Sequence, residues 1–205
     1  MAKDDEKKRR GRPRSAAAAS HDAILGAVYD LLHGKSVRDL TIEEVARRAG
    51  VGKPMIYKWW PSKAALVMAM LDERIVEHLS AAGARNAEEA IRGLVTELVR
   101  RFNGFLGKVA VEILAEGQSE PGVLQEYRDR YLSKRRACAT EVIERAQASG
   151  EFRNDIDPQF LIDMIFGPIY YRRLVRHQKL DQRFADELVH HVMAYVRSQP
   201  DRAGR

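Results

Sequence analysis

The chain has 205 residues, and its 35 Lys and Arg outnumber its 29 Asp and Glu, for a formal net charge of +6 at pH 7. The excess is confined to one end, because residues 1–63 contain 14 basic and 8 acidic side chains while residues 64–205 contain 21 of each. This asymmetry predicts a polyanionic partner for the N-terminal part. The longest apolar run, residues 64–71, is too short to span a membrane, and no secretory signal is recognisable. We therefore expect a cytoplasmic protein that has no membrane partner.

Metal and redox chemistry find little support in the sequence. Cys138 is the only cysteine, which excludes an internal disulfide. No two histidines have the i, i+4 spacing that places two ligands on one helix face, and no HExxH motif occurs. The histidines are His21, His33, His78, His177, His190 and His191. We predict neither a metal site nor a cofactor.

A basic arm, residues 1–19, precedes the first predicted helix. Residues 7–14 are basic and lack apolar anchors, which predicts disorder in the absence of DNA. Within this stretch, Arg10-Gly11-Arg12-Pro13 resembles an AT-hook, so we expect Arg10 and Arg12 to lie along a narrow minor groove. A nonspecific basic tail or, in a eukaryote, a nuclear address is the alternative.

Residues 20–64 have the pattern of a three-helix domain. The first helix begins near Ser20 and ends at Gly34, with an apolar stripe along one face. The second helix begins at Thr41 as N-cap, with Glu44 at N3 closing a capping box, and it ends at Gly50. The third helix, about Lys53–Trp59, starts after Gly52 as its N-cap with Pro54 in its first turn. The stripe of the first helix comprises Ile24, Leu25, Val28, Leu31 and Leu32.

The second and third helices predict a helix-turn-helix whose second helix enters the major groove. This part of the chain, over about residues 20–71, resembles the DNA-binding domain of the TetR family of transcriptional regulators. The segments that carry the resemblance are Ala49-Gly50-Val51, Ile56-Tyr57, Trp59-Trp60 and Pro61-Ser62-Lys63.

The resemblance implies a role for each matching residue. Base contacts would come from Lys53, Pro54 and Met55. Phosphate contacts would come from Tyr57, from Lys63 and from the helix N-terminus at Thr41. The family usually carries Ser or Thr where this chain has Gly52, so a bare backbone N–H would face the phosphate at that position.

Several of these residues also have a structural interpretation. Tyr57 and Trp60 are candidates for the core, and the core is favoured for Trp60 because the short helix must pack there against the next one. The two interpretations are evenly balanced for Trp59. The clustering of lysines around the helix-turn-helix is what phosphate binding needs, and it favours that role for Lys53, Lys58 and Lys63.

The rest of the chain has helical periodicity and no alternating strand pattern, so the predicted fold is all-α, with a C-terminal helical domain over residues 65–199 and a tail at 200–205. A long helix follows Ser62 and includes His78 and Leu79. Further helices are predicted at residues 87–105, 108–118, 121–149, 158–178 and 182–198.

The last two helices predict a four-helix dimer seam. A single recognition helix contacts few bases, whereas two helices related by a twofold axis contact half-sites about 34 to 36 Å apart or a multiple of this distance. We therefore expect a homodimer on a palindromic operator. The residues predicted for the seam are Ile162, Ile165, Ile169, Leu188, Val192 and Val196.

The resemblance further implies a pocket for an unknown small molecule in the middle helices. Apolar walls with a few polar groups are typical of such sites, although the same residues at helical spacing are more often plain core. The predicted lining residues are Phe102, Phe105, Val109, Glu112, Ile113, Tyr127, Tyr131, Phe166, Tyr170 and His177.

The leading hypothesis is a ligand-responsive, homodimeric transcriptional repressor of the TetR type that is not an enzyme. An architectural DNA-binding protein with little sequence choice is the first alternative. The second is an all-helical enzyme in which Glu112 and Glu116, one helical turn apart, share a pocket as acid and base; no nucleophile accompanies them.

Overall fold

The computed structural model describes residues 16–75 and 83–197, and all helices and turns discussed below lie in these two ranges. Every regular element in them is a helix, which confirms the predicted all-α fold. The α-helices are α1 (Ala16–Gly34), α2 (Ile42–Ala49), α3 (Lys53–Trp59), α4 (Lys63–Ile75), α5 (Ala87–Asn103), α6 (Phe105–Gly117), α7 (Pro121–Glu126), α8 (Ser133–Ala148), α9 (Pro158–Val175) and α10 (Gln182–Arg197). A π-helical segment, Tyr127–Leu132, joins α7 to α8.

Local signals account for the ends of α2. The hydroxyl of Thr41 accepts a hydrogen bond from the backbone N–H of Glu44 at 3.3 Å, as an N-cap does. Gly50 has the left-handed φ of 67° that closes the helix, and its N–H reaches the carbonyls of Ala46 and Arg47. Both predicted caps are thus confirmed. The turn that follows Gly50 leads into α3, which lies at the surface of the N-terminal domain.

The predicted helix boundaries differ from the structure in four places, one of which is the end of α9 at Val175 rather than at residue 178. Helix α1 begins at Ala16, so the last residues assigned to the basic arm are helical. Helix α5 ends at Asn103, and after Gly104 the next helix, α6, begins at Phe105 rather than at Lys108. The predicted helix over residues 121–149 contains the π-helical segment, in which the backbone is wound more loosely. His78, Leu79, Arg10 and Arg12 lie outside the described residues.

Helix α5 forms the centre of the C-terminal domain. It packs against α6, α8, α9 and α10, and most of its apolar side chains are buried among them. Helix α4 links the two domains, because it contacts α1 on one side and α7 and the π-helical segment on the other. The recognition region and the C-terminal core are therefore joined through packed helices.

The predicted dimer seam requires a correction. Ile162, Ile165 and Ile169 of α9 are fully buried in the chain's own core, and so are Val192 and Val196 of α10. Only one residue of the predicted set is even partly exposed, Leu188. These side chains hold α9 and α10 to α5 and α8, so a partner would have to use the opposite face of α9.

Within the described part of the chain, no helix is both long enough and apolar enough to cross a membrane.

Candidate nucleic-acid interface and effector region

Helix α3 is exposed along most of its surface. Ile56 is its one buried side chain, and it anchors the helix to the small N-terminal core. Met55 and Tyr57 are 42% and 51% exposed although both are large and apolar. Exposed apolar side chains beside lysines are typical of an interaction surface. The remaining exposed residues of this helix are Lys53, Pro54 and Lys58.

Lys53 is held in place by an acidic neighbour on α2. Its Nζ donates to Glu43 Oε1 at 2.9 Å, and both side chains are at least half exposed. This hydrogen bond raises the pKa of Lys53 and lowers the pKa of Glu43, so both groups are charged at neutral pH. Because an exposed ion pair contributes little stability, the lysine can exchange this carboxylate for a DNA group at low cost.

The two tryptophans at the end of α3 have different surroundings. Trp60 is 4% exposed, so its predicted place in the core is confirmed. Trp59 is partly buried and makes edge contacts with the rings of Trp60 and His21, with centroids 5.5 Å away in each case. Trp59 therefore packs α3 against α1, and only the remainder of its ring faces solvent.

Thr41 and Gly52 flank the predicted phosphate side of the helix-turn-helix. Thr41 is exposed, and its hydroxyl donates to Glu44 Oε2 at 3.0 Å while it caps α2. Gly52 has a φ of −78°, and a Cβ built there would meet only Pro54 at an ordinary contact distance of 3.5 Å. The backbone therefore does not require glycine at this position, and a side chain is tolerated by the geometry.

Helix α6 contacts the DNA-binding module along one face. Phe105 stacks on His33 with ring centroids 4.1 Å apart and packs edge-on against Tyr29 of α1. Lys108 Nζ donates to the backbone carbonyls of Leu32 and Lys35, at 3.2 and 3.0 Å. These contacts bind α6 to the end of α1 and to the loop that follows it.

The same face of α6 carries two carboxylates. Glu112 Oε2 accepts from the backbone N–H of Val37 at 2.8 Å. Glu116 Oε1 lies 3.2 Å from Lys63 Nζ at the start of α4, and this lysine also donates to the carbonyl of Arg38. Glu112 and Glu116 thus bind separate partners at the domain junction and do not share a pocket as an acid–base pair.

An aromatic cluster lies in the C-terminal domain where α5, the π-helical segment and α9 meet. Phe102 meets Tyr170 edge-on with centroids 4.8 Å apart, and the hydroxyls of Tyr170 and Tyr127 are 2.8 Å apart. The ring of Tyr131 packs against Tyr127 and lies under the guanidinium of Arg135. Burial raises the pKa of all three tyrosine hydroxyls, so they stay neutral.

The predicted pocket residues divide into two groups. Phe102, Val109, Ile113, Tyr127, Tyr131, Phe166 and Tyr170 are buried or partly buried in the C-terminal core. Phe105 and Glu112 instead contact the DNA-binding module, and His177 is exposed beside the ring of Tyr171. These three are corrections to the predicted lining, because Phe105 and Glu112 contact the DNA-binding module and His177 faces solvent.

Sequence reasoning missed Arg135 and Lys108. Arg135 follows Tyr127 and Tyr131 at four-residue intervals, which is the signal that places a charge on the same helix face as two buried aromatic rings. Lys108, Glu112 and Glu116 likewise share one face of α6, and their spacing could have predicted a polar contact surface.

The outward face of α9 is unusually apolar. Phe160, Tyr171, Leu174 and Val175 are each at least half exposed in the single chain, and Tyr195 of α10 is 38% exposed. Tyr171, Leu174 and Val175 lie within about one helical turn, and Phe160, eleven residues before Tyr171, lies on the same side of α9, so these four residues form an apolar stripe. This stripe lies on the opposite side of α9 from Ile162, Ile165 and Ile169.

Known protein families match both the N-terminal and the C-terminal domain of this chain. Residues 24–70 match the family described as bacterial regulatory proteins, tetR family, and residues 84–192 match the tetracyclin repressor-like C-terminal domain. The chain is 35% identical over 181 residues to YdeS of Bacillus subtilis, an uncharacterized HTH-type transcriptional regulator, covering 88% of this chain and 90% of the relative.

Solved structures show the same fold. The TetR family transcription regulator SCO0332 superposes with a TM-score of 0.70 and 29% identity, over 88% of this chain and 99% of that one. FadR from Bacillus subtilis, in complex with stearoyl-CoA, has a TM-score of 0.67 and 15% identity over 85% and 98% of the two chains. The relatives are transcriptional regulators and not enzymes. With an exposed recognition helix on a helix-turn-helix and both domains matched, this chain belongs to the TetR family of DNA-binding transcriptional regulators.

Proposed function

We propose that the protein is a homodimeric repressor that binds a palindromic operator and is released from it by a small molecule. The observation that carries the DNA-binding half of this proposal is the exposed surface of α3, with Lys53, Met55 and Tyr57 facing solvent around a single buried anchor, Ile56. As a regulator that binds chromosomal DNA, it would act in the cytoplasm.

The dimer in this proposal forms through the outward face of α9 together with α10. A stripe of exposed Phe160, Tyr171, Leu174 and Val175 is costly for a monomer in water and is suited to pairing with its own copy about a twofold axis. Two recognition helices held in this way would contact equivalent half-sites, which supports the palindrome.

The ligand response in this proposal is transmitted by α6. One face of this helix is buried in the C-terminal core through Val109 and Ile113, and the other binds the DNA-binding module through Lys108, Glu112 and Glu116. A ligand that favours a different packing of the core would shift the contacts of α6 and move the module. The stearoyl-CoA complex of the FadR neighbour, similar in fold alone, supports a ligand-binding role for such a domain.

The proposal is tested by selection from a random duplex library, followed by footprinting of the enriched sequence with excess competitor DNA present. A repressor should enrich a palindrome and keep a specificity ratio of order 10³ or more over random DNA. An architectural protein should enrich no sequence, and that result would contradict the proposal.

Substitution of Lys63 and substitution of Lys53 should affect DNA binding in different ways. We expect Lys63→Ala to weaken binding to all sequences and to reduce the slope of log K against log salt concentration by about one, because it removes one phosphate contact. Lys53→Ala should instead change which operator variants are preferred, because it removes a base contact. Binding is measured by fluorescence anisotropy on the selected operator and its single-base variants.

Lys179→Ala is the matched control, since this lysine is exposed in the loop between α9 and α10. It should leave affinity and preference unchanged. Identical effects of Lys63→Ala and Lys53→Ala across all operator variants would show that the base and phosphate roles are assigned wrongly.

Glu116→Gln should tighten DNA binding. Glu116 lies 3.2 Å from the Lys63 ammonium, so it competes with a phosphate for the same charge. Removing this partly buried partner is expected to raise the affinity for all DNA by about two- to fivefold, the range of a modest ion pair. Glu144→Gln, an exposed change of the same charge on α8, controls for net charge; an equal gain from both variants would contradict a specific role for Glu116.

A further inference from the structure

Two buried arginines in the C-terminal domain differ in how their charge is compensated. Arg101 is 5% exposed, and its Nε donates to the carboxylate of Glu97. The guanidiniums of Arg100 and Arg101 lower the pKa of Glu97 to about 2, so this carboxylate is ionised at neutral pH. Arg101 is thus the usual case, a buried charge that has an ionised partner.

Arg135 has no such partner in the described part of the chain. It is 8% exposed, and its Nε and Nη2 are buried without a hydrogen-bond acceptor. Its guanidinium lies over the ring of Tyr131, 4.3 Å from the centroid, and this cation–π contact compensates only part of the cost of burial. The hydroxyl of Tyr131 is neutral because burial raises its pKa. A positive charge and the donors of two nitrogens therefore remain without an acceptor.

Cys138 lies beside Arg135. The two residues are three positions apart on α8, so their side chains are neighbours on its surface, and both line a small cavity between α5, α8 and α9. The cavity measures about 10 Å³, which is room for about one water-sized group. Its other walls are apolar and are formed by Leu94, Leu98 and Phe166. One oxygen atom bonded to the sulfur of Cys138 would fit there, whereas an organic ligand would not.

Cys138 also lines a second, much larger space. An open groove of about 690 Å³ runs between the start of α5 and α8, and Cys138 forms part of its wall. The residue is partly exposed, so a small solute in the groove contacts this side chain. Cysteines react where partial exposure is combined with positively charged surroundings. Cys138 has both features.

We propose that Cys138 is a site of reversible oxidation by hydrogen peroxide, and that the oxygen it gains lies in the small cavity and accepts hydrogen bonds from Nε and Nη2 of Arg135. The thiol releases its proton to solvent, and the thiolate sulfur attacks one oxygen of the peroxide. The S–O bond forms as the O–O bond breaks, and hydroxide leaves and takes up a proton to become water. The sulfur is oxidised by two electrons and the peroxide is reduced by two, which gives a sulfenic acid.

The oxidised sulfur supplies the acceptor that Arg135 lacks. On loss of its proton the sulfenic acid becomes a sulfenate with a negatively charged oxygen, and charge-assisted hydrogen bonds are roughly twice as strong as neutral ones. Cys138 is the only cysteine of the chain, so no internal disulfide competes with this product. Two equivalents of a small thiol reverse the oxidation, because the first displaces water to form a mixed disulfide and the second releases the Cys138 thiol. This site does not depend on the proposed repressor function.

The first test measures oxidation of the full-length protein without DNA. Hydrogen peroxide is added in small excess, and mass spectrometry follows the gain of one oxygen at Cys138. Dithiothreitol should remove this oxygen but not the oxygen of methionine sulfoxides. Arg135→Met should slow the oxidation of Cys138 by about tenfold or more, because the anion loses its charge-assisted contact.

Arg145→Met is the matched control, since it removes an exposed cation of the groove wall on the same helix. It should leave the rate of oxidation unchanged. If Arg135→Met does not fold, Arg135→Gln takes its place, because it keeps a hydrogen-bond donor but removes the charge, and the same slowing is expected.

The second test places an anion at position 138 without oxidation. Cys138→Asp carries its carboxylate oxygens two bonds from Cβ, as the sulfenate oxygen would be, and Cys138→Asn has the same shape without the charge. At pH 7 the Asp variant should melt about 3 °C or more above the Asn variant, because Arg135 pairs with the carboxylate. In an Arg135→Met background the order should reverse, because a buried carboxylate without a counter-charge is costly.

Oxidation of Cys138 at the native rate in Arg135→Met, or a gain of oxygen on methionines alone, would overturn the proposed site. Equal Tm values of the Asp and Asn variants would also overturn it, because Arg135 would then not stabilise an anion at this position. Since neither measurement involves DNA, failure here is distinct from failure of the operator selection, which tests the proposed repressor.

Discussion

The double substitution Tyr171→Asp and Leu174→Asp is expected to convert the protein to a monomer and to weaken operator binding by about 10²- to 10⁴-fold. Both side chains are half exposed or more on the outward face of α9, where a partner would bury them. Two aspartates at such a seam would have to be desolvated without a counter-charge. A monomer binds each half-site separately, so the gain from linked binding is lost.

Light scattering measures the first effect, with a chain mass of 23.3 kDa as the monomer value, and anisotropy on the selected operator measures the second. Ala137→Asp places a charge at an exposed position of α8 and should leave both quantities unchanged. A doubly substituted protein that stays dimeric would show that the seam lies elsewhere. Far-ultraviolet circular dichroism separates loss of pairing from loss of folding.

Gly107→Ala is expected to destabilise the whole protein. A Cβ at Gly107 would lie 2.3 Å from both the Cα and the carbonyl oxygen of Phe102, far inside contact distance. Because these are backbone atoms, no side-chain rotation relieves the clash, and α5 and α6 must move apart. We expect a loss of about 3 kcal/mol in the free energy of unfolding and a fall in Tm of about 6 to 12 °C.

Gly104→Ala is the matched control, since a Cβ there meets its nearest atom at 3.5 Å and the backbone φ is −97°. This variant should melt within about 2 °C of the native protein, the shift that corresponds to a few tenths of a kcal/mol. Thermal unfolding followed by circular dichroism compares the three proteins. If Gly107→Ala melts like Gly104→Ala, the close approach of α5 and α6 is not required for stability.

The DNA-binding module could be predicted closely because its signals are local. A cap, a capping glycine and a first-turn proline act on backbone groups within a few residues, so Thr41, Gly50 and Pro54 mark the ends of α2 and the start of α3 wherever the rest of the chain lies. The placement of α3 likewise depends on a single buried side chain, Ile56, which the local sequence already identifies.

The C-terminal domain could be predicted only as a set of helices. An apolar stripe shows that a helix buries a face, but not whether the partner is the same chain or a second copy. Thus the apolar periodicity predicts Ile162, Ile165 and Ile169 for the seam, but they lie in the core, while Tyr171 and Leu174 belong to the exposed stripe. The difference depends on how α9 packs against α5 and α8.

By itself, the sequence determined the helical class, the helix-turn-helix, its caps and the charge asymmetry, since these depend on composition and on neighbours along the chain. The tertiary structure alone decided that α6 has one face in the core and the other on the DNA-binding module, and that Arg135 is buried without a counter-charge. Burial and charge compensation are set by contacts between residues far apart in sequence, and such contacts exist only once the helices have packed.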